Sequence, residues 1–373
     1  MSIDRRTFVG ATSLALSAAA LSAASGSAAE KPKGRVARRV ATEEAFSIPE
    51  VAEGLRAISR GPGDSLDLLL LRAIYDSSPG DFGAMLRERL LDLEGVRLKE
   101  MDDNGVAVHL LSLTAPGVQM FDADTALELA ILANDRLAEV ISRHPTRFAG
   151  LASFPPQTPK QAAREMERAI NRLKLNGFIV NSHTNSEYLD DPKFWPILEA
   201  AEALGACIYV HPRAPADGMA GSFRHYGMDG ALWGYGMETG THAVRLILSG
   251  VFDRFPKLKI CLGHMGEAVH FWLWRIDFMS ARAQASGRMP KLQLKPSEYF
   301  RRNFVITTSG QESHAALEFS LKVLGPENVL WAIDYPYQPT SPAVAFMDSA
   351  PLADDVKDKV YHGNAERVFR IKI

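Results

Sequence analysis

The chain has 373 residues, of which 46% are hydrophobic and 23% are charged, and this ordinary globular composition is sufficient to bury a large core. A formal net charge of -2 excludes a broad basic face for nucleic acid or anionic lipid, so the expected partner is a small molecule.

The first 29 residues have the features of an export signal. Paired arginines, Arg5 and Arg6, precede Phe8, a short apolar run and a small-residue stretch suitable for cleavage that ends at Ala29. This pattern resembles a twin-arginine signal, whose pathway exports folded and often metal-loaded proteins. We expect a periplasmic protein with one domain over residues 30–373 and no membrane association once processed. A disordered basic tail or an uncleaved anchor is the alternative.

Eight short apolar segments then alternate with segments of helical periodicity. The apolar segments are near-continuous, which is typical of strands buried on both faces of a parallel sheet. The predicted strands are residues 40–43, 106–113, 148–154, 177–181, 207–211, 258–264, 304–308 and 329–334. The predicted helices include residues 84–101, 126–141, 159–173, 194–204, 241–252 and 268–283. This order favours an α/β fold, a (β/α)8 TIM-type barrel, with a doubly wound open sheet as the alternative.

Two further features concern the fold. Residues 47–83 are long for a first strand-to-helix connection and predict an insertion over the mouth of the active site. The only two cysteines, Cys207 and Cys261, each lie in an apolar run. They therefore predict buried thiols rather than a disulfide, although export would permit one.

Polar side chains end four of the predicted strands. Glu43 ends the first, His211 the fifth, His264 the sixth and Asp334 the eighth. Barrel strands present their carboxyl ends at one mouth, so these groups should converge there. Each residue alone is equally consistent with a cap or a hydrogen-bonded core group. Together, two imidazoles and two carboxylates predict a mononuclear site for a divalent cation, Mn or Zn.

The motifs around these residues are Thr42-Glu43-Glu44-Ala45-Phe46, Asn181-Ser182-His183-Thr184, His211-Pro212, Gly263-His264-Met265-Gly266-Glu267, Asp334-Tyr335-Pro336-Tyr337 and Asn364-Ala365-Glu366-Arg367-Val368-Phe369. Jointly they resemble the aromatic acid decarboxylases of the amidohydrolase superfamily, the branch that includes 5-carboxyvanillate and γ-resorcylate decarboxylases. The resemblance extends from about Val40 to Phe369.

This resemblance implies a carbon–carbon lyase that decarboxylates a hydroxylated aromatic acid. It implies that Glu43, His211 and Asp334 hold one divalent metal per subunit, with no organic cofactor. Asp334 would protonate the ring carbon, and His264, oriented by Glu267, would assist. Glu267 could equally be a first-turn helix charge. A homo-oligomer, dimer or tetramer, is also implied.

Five residues are candidates for contacting the substrate. Tyr337, Tyr235 and Trp233 are suited to stacking on a phenyl ring, although each is also consistent with ordinary packing. His183 follows the fourth strand and is expected to line the pocket, with a loop hydrogen bond as the alternative. The resemblance implies that Arg275 contacts substrate or the adjacent subunit's site, and the alternative is an exposed helix guanidinium.

One departure from the family pattern concerns the substrate. Where 5-carboxyvanillate decarboxylases have an arginine that would bind a second carboxylate, an ungapped reading of this chain places Phe82. The departure indicates either a substrate with a single carboxylate or an alignment shift in the insertion.

Two other classes of function stay open from the sequence. A metal-dependent hydrolase of a small lactone, amide or ester is the first alternative, because the same metal could polarise a water molecule. The fourth strand ends at Asn181 without a lysine that could form a bridging carbamate, which argues against a binuclear hydrolase. A non-catalytic binding protein on a barrel scaffold is the second alternative.

Overall fold

The structure is a computed structural model that describes residues 38–372. Eight parallel strands form one sheet in chain order, each paired with the next. The strands are β1 (Val40–Phe46), β2 (Val108–Leu113), β3 (Phe148–Ser153), β4 (Gly177–Asn181), β5 (Ile208–His211), β6 (Ile260–Leu262), β7 (Phe304–Thr307) and β8 (Val329–Leu330). The predicted (β/α)8 barrel is confirmed. The predicted signal, residues 1–29, lies outside the described residues.

Helices follow and connect the strands throughout residues 38–372. They are α1 (Pro49–Ser59), α2 (Leu66–Tyr75), α3 (Phe82–Leu91), α4 (Val96–Asp103), α5 (Ala123–Arg143), α6 (Pro159–Asn171), α7 (Trp195–Leu204), α8 (Asp217–Ala220), α9 (Gly234–Leu248), α10 (Val251–Arg254), α11 (Leu273–Ala285), α12 (Pro296–Asn303), α13 (His314–Leu324), α14 (Thr340–Ser349), α15 (Asp354–Asp358) and α16 (Asn364–Phe369). None of these helices is long and apolar enough to cross a membrane.

The barrel has an inner and an outer apolar layer. Inside, side chains such as Leu110, Leu151 and Val305 pack against Phe369 of α16. Outside, a larger cluster fills the space between the strands and the helices. Cys207 and Cys261 are both buried and free, so the prediction of two thiols is confirmed. This close packing gives a rigid frame for the side chains at the strand ends.

The helix predicted over residues 84–101 is divided into α3 and α4. Asp92 ends α3, and its side chain accepts hydrogen bonds from the backbone N–H of Gly95, at 2.7 Å, and of Val96. This local bond satisfies donors at the start of α4 and competes with a continuous helix. Apolar periodicity alone does not reveal such a break.

The insertion packs on the loops at the carboxyl edge of the barrel. In α2, Asp67 forms an ion pair with Arg213, just after β5, at 2.7 Å between Oδ2 and Nη2. Leu66 joins an apolar cluster with Ala214 and Phe223 of the same region. The insertion therefore lies at the predicted end of the barrel.

Candidate active site

Glu43 lies within β1 rather than at its end, which corrects the predicted strand boundary. The register shifts by one residue between Ala41 and Glu44, so β1 contains a bulge that re-aims the side chains there. The Glu43 carboxylate is buried inside the barrel. Its Oε1 has no hydrogen-bond partner among the described residues, although it is fully buried.

Three hydroxyl groups fix the other oxygen of Glu43. Thr307 Oγ1 donates to Oε2 at 2.9 Å, and Tyr209 Oη and Ser309 Oγ also donate to it. These residues come from β5 and from the end of β7. None of the three was among the residues predicted from the sequence, although the run Thr307-Thr308-Ser309 at a strand end was an available signal.

His211 faces the unpartnered oxygen of Glu43. Its Nε2 lies 3.6 Å from Glu43 Oε1. Its Nδ1 lies 2.8 Å from the carbonyl oxygen of Pro212, so Nδ1 carries the hydrogen and the Nε2 lone pair is left available. This is the tautomer that a metal-binding histidine needs.

His264 connects three carboxyl groups. Its Nδ1 lies 3.0 Å from Glu267 Oε1 and 3.9 Å from Glu43 Oε1, while its Nε2 lies 3.6 Å from Asp334 Oδ2. The backbone at His264, with φ of 47°, and at Glu267, with φ of 50°, is left-handed. Such a conformation is costly outside glycine and is often found at functional sites. It turns Glu267 back towards the histidine.

The four residues predicted to converge do so, and they fit a divalent cation. Ligand atoms of Glu43, His264 and Asp334 all lie within 4.8 Å of one another, and His211 faces the same Glu43 oxygen. A buried carboxylate oxygen without a partner is unfavourable unless a cation or donor satisfies it. A Cβ on Gly263 would lie 2.6 Å from Glu43 Oε1, so glycine keeps that side of the site open. The mixed nitrogen and oxygen donors suit Mn or Zn.

The surroundings of Glu43 and Asp334 shift the pKa values of these two carboxyl groups in opposite directions. Burial tends to raise the pKa of Glu43, but the charges of His264 and His211, with the hydroxyl hydrogen bonds, outweigh burial and lower it. Burial raises the pKa of Asp334 above its usual range despite the opposing effect of His264. Burial alone would lower the pKa of His264, but the charges of Glu43 and Glu267 raise it well above its ordinary value. Asp334 is therefore better placed than Glu43 to hold a proton.

A cavity of about 550 Å³ opens beside this cluster. Its lining contains no lysine or arginine among the described residues. The larger and polar lining residues are Leu232, Trp233, Tyr235, Met237, His264, Met265, Glu267, His270, Phe271, Gln311, Phe319, Ser320, Asp334 and Gln338. The volume lies in the range of small-molecule sites, and the lining combines apolar side chains with two carboxyl groups and two imidazoles.

Trp233 and Tyr235 line this cavity as expected, and Trp233 is 53% exposed at its mouth. Tyr337 lies behind the lining, where its hydroxyl is 2.6 Å from Thr114 Oγ1. Burial raises the pKa of the Tyr337 phenol, and the nearby charge of Asp334 also raises it. Tyr337 thus packs close to Asp334 without forming the cavity wall.

Two predicted substrate residues lie elsewhere. Arg275 is on the exposed side of α11 and does not line the cavity of its own subunit. His183 does not line the cavity either, because both of its nitrogens are used by loops: Nε2 is 3.0 Å from the carbonyl of Ala214, and Nδ1 accepts from the N–H of Ser186 at 3.2 Å. The prediction that His183 faces the pocket is therefore wrong, and its alternative, a loop hydrogen bond, is correct.

Comparison with known proteins gives one family and a consistent group of relatives. The family model described as Amidohydrolase matches residues 87–371. The chain is 37% identical, over 77% of its length and 90% of the relative, to gamma-resorcylate decarboxylase from Polaromonas sp. (strain JS666 / ATCC BAA-500).

Among solved structures, the chain is similar to 5-carboxyvanillate decarboxylase from Sphingomonas paucimobilis, with a TM-score of 0.88, 59% identity and coverage of 90% of this chain and 99% of that one. It is also similar to 5-carboxyvanillate decarboxylase from Novosphingobium aromaticivorans, which was solved with manganese and 4-hydroxy-3-methoxy-5-nitrobenzoic acid. That match has a TM-score of 0.87, 38% identity and coverage of 90% of this chain and 96% of that one.

Proposed function

Because the chain belongs to the amidohydrolase family, we propose that it is a metal-dependent decarboxylase of a hydroxylated aromatic carboxylic acid. The observation that carries this function is the cluster of Glu43, His211, His264 and Asp334 beside an aromatic-walled cavity. The relatives named above are decarboxylases, so the hydrolase alternative is not retained.

We propose manganese as the metal, as in the relative solved with it, and no organic cofactor. When bound, the divalent cation supplies positive charge that neutralises and orients an aromatic carboxylate. Glu43 Oε1 and His211 Nε2 are the atoms of this chain best placed to hold it. Glu43 Oε1 is buried without a hydrogen-bond partner, and the hydrogen on His211 Nδ1 leaves the Nε2 lone pair available. Asp334 completes the proposed set of metal ligands, and His264, which lies within the same 4.8 Å group, is left to face the substrate.

The residues of the chain then provide orientation and a proton. Trp233 and Tyr235 are placed to pack on the substrate ring. The carboxyl of Asp334 gives its proton to the ring carbon that bears the carboxylate; that carbon–carbon bond breaks, its electron pair returns to the ring, and CO2 leaves. Asp334 is reprotonated from solvent. His264, held by Glu267, donates to the substrate during this step.

The charged side chains of the cavity lining indicate how many carboxylates the substrate carries. Phe82, which stands where the family pattern suggests an arginine, is 60% exposed at the start of α3 and does not line the cavity. With no lysine or arginine in the described lining, a single subunit is best matched to an acid with one carboxylate. The 59% identity with a 5-carboxyvanillate decarboxylase makes 5-carboxyvanillate the dicarboxylate to test beside it.

The first experiment measures CO2 release by the purified full chain from 5-carboxyvanillate, 2,6-dihydroxybenzoate and other hydroxybenzoates. We expect activity to disappear on chelation and to return with Mn²⁺. Asp334→Asn should lower kcat by roughly 100-fold or more, the range for a lost proton donor. Asp124→Asn, at an exposed aspartate of α5, is the control and should retain activity. The absence of CO2 from every acid with metal bound would contradict the proposal.

Export and assembly are further parts of this proposal. Arg5 and Arg6 support twin-arginine export to the periplasm. Replacing both by lysine should retain the protein in the cytoplasm, as cell fractionation would show, and unchanged periplasmic recovery would contradict export.

A homo-oligomer should give a light-scattering mass of two or four chains, and a monomer mass would contradict it.

A further inference from the structure

Glu44 lies next to the cluster but does not line the cavity. Its side chain is fully buried. Its Oε1 accepts a hydrogen bond from the backbone N–H of Ile333, and its Oε2 accepts one from the N–H of Tyr335, both at 3.0 Å. These two peptide groups flank Asp334, so one carboxyl group holds the backbone on both sides of the expected proton donor.

Asp334 needs such support because of its backbone conformation. Its φ is 78°, a left-handed value that is unfavourable for a residue other than glycine. Ordinary strand pairing does not supply the support, since β8 ends at Leu330 and no ladder joins β8 to β1 among residues 38–372.

Side chains of β1 instead close this seam of the barrel. Thr42 Oγ1 donates to the carbonyl of Trp331 at 2.8 Å, and the N–H of Ala45 donates to the carbonyl of Tyr335 at 2.7 Å. Glu44 provides the two hydrogen bonds between them. On the side that faces β1, the segment that carries Asp334 is therefore held by hydrogen bonds from three residues of β1, while Thr308 bonds to Ala332 on the other side.

Arg97 of α4 also contacts this seam, at Ala45 and at Tyr335. Its guanidinium is fully buried, donates from Nη2 to the carbonyl of Ala45 at 2.6 Å and lies 4.5 Å from the centre of the Tyr335 ring. Burial raises the pKa of Glu44 to about 8, while the two N–H groups and Arg97 oppose that rise. In either protonation state each Glu44 oxygen keeps a lone pair for its N–H group, whereas the nitrogen of an amide does not.

We propose that Glu44 is a positioning residue, whose carboxyl group clamps the peptide groups of Ile333 and Tyr335 and thereby fixes the orientation in which Asp334 delivers its proton. The proposal rests on the proposed function, because it takes Asp334 as the donor. Glu44 does not touch the substrate, so its effect is on the rate of the reaction rather than on binding.

The test compares Glu44→Gln with the metal-loaded wild type. The amide can accept from only one of the two N–H groups and opposes the other with its own N–H. We expect kcat to fall by about 10- to 100-fold, as for other residues that orient a reacting group, with KM changed less than about threefold and one metal retained per subunit. Glu165→Gln is the matched control: it changes a buried carboxyl group of α6 that accepts hydrogen bonds from Asn134 and Arg168 and does not line the cavity, so it should lower the melting temperature while keeping kcat near wild type.

Three results would overturn the proposal: an unchanged kcat in Glu44→Gln, a fall in kcat that follows the loss of stability equally in both variants, or loss of the metal. If Glu44→Gln does not fold, Glu44→Asp is judged by the same comparison, since its shorter side chain reaches at most one N–H group. A wild-type protein that releases no CO2 would instead contradict the proposed function, whatever the Glu44 variants do.

Discussion

Glu267 shows how a single side chain can matter without binding the metal. It borders the cavity and holds His264 Nδ1 at 3.0 Å, which leaves Nε2 directed at Asp334. Glu267→Gln should therefore retain the metal but lower kcat by about 10- to 100-fold, because the histidine loses its charged partner. Steady-state kinetics with elemental analysis would check this. Glu318→Gln, at an exposed position of α13, is the control, and equal kcat in both variants would contradict the role of Glu267.

A substitution at Gly263 tests the metal site through Mn²⁺ affinity, without a measurement of catalysis. Because an added Cβ would lie 2.6 Å from Glu43 Oε1, Gly263→Ala should displace that carboxylate and weaken Mn²⁺ binding by about 10-fold or more. Titration calorimetry on the chelated protein measures the change. Gly218→Ala, where no atom lies within 4 Å of the added carbon, should bind Mn²⁺ as wild type does. Equal affinities for the two variants would show that Glu43 does not hold the ion.

Among the helices, α2 is held on the barrel by a buried ion pair as well as by the apolar cluster around Leu66. Asp67 and Arg213 have side chains only 11% and 5% exposed. Asp67→Ala leaves the guanidinium without its charged partner, and removing one member of a buried pair typically costs about 3–5 kcal/mol. We expect a clear loss of stability in urea unfolding and faster hydrogen exchange across α2.

The matched control for that pair is Glu50→Ala. Glu50 pairs with Arg136 at the surface, where the side chains are 40% and 45% exposed, so the loss should stay below about 1 kcal/mol. Equal losses for Glu50→Ala and Asp67→Ala would mean that the buried pair does not anchor the insertion.

For the whole molecule, three buried histidines should make stability depend on pH. Burial lowers the pKa of His242 to about 3 and those of His183 and His270 to about 4. Between these values and the unfolded value of about 6.5, the unfolded chain binds more protons than the native one. Each of these histidines should therefore remove stability as pH falls below about 6.5, by up to about 1.4 kcal/mol per pH unit, whereas Glu44 and Asp334, whose pKa values are raised, act in the opposite direction.

Urea unfolding between pH 7 and pH 5 measures this slope. His242→Gln should be less stable at pH 7, because it alters the contacts with Ser182 and Leu189, yet its stability should fall less steeply with acid than that of the wild type. His225→Gln, at an exposed position, should keep the wild-type slope. An unchanged slope in His242→Gln would contradict the contribution of that histidine.

The pattern of apolar and polar residues along the chain was sufficient to identify the barrel and the centre of its site. Eight apolar runs that alternate with helical segments identified the strands, and four of them carried Glu43, His211, His264 and Asp334 at or near their ends. Apolar runs record burial, and parallel strands bring their carboxyl ends together, so both inferences need only local pattern and fold class. The same logic identified two buried thiols.

The contacts around that centre join residues that are far apart in the chain, so they become visible only in the folded protein. Tyr209, Thr307 and Ser309 bind an oxygen of Glu43 from positions 166 to 266 residues away, and Glu44 binds backbone groups 289 and 291 residues away. Such pairs depend on strand register and on the bulge in β1. A shift of one residue sends a side chain to the other face of a strand, and apolar periodicity does not encode that shift.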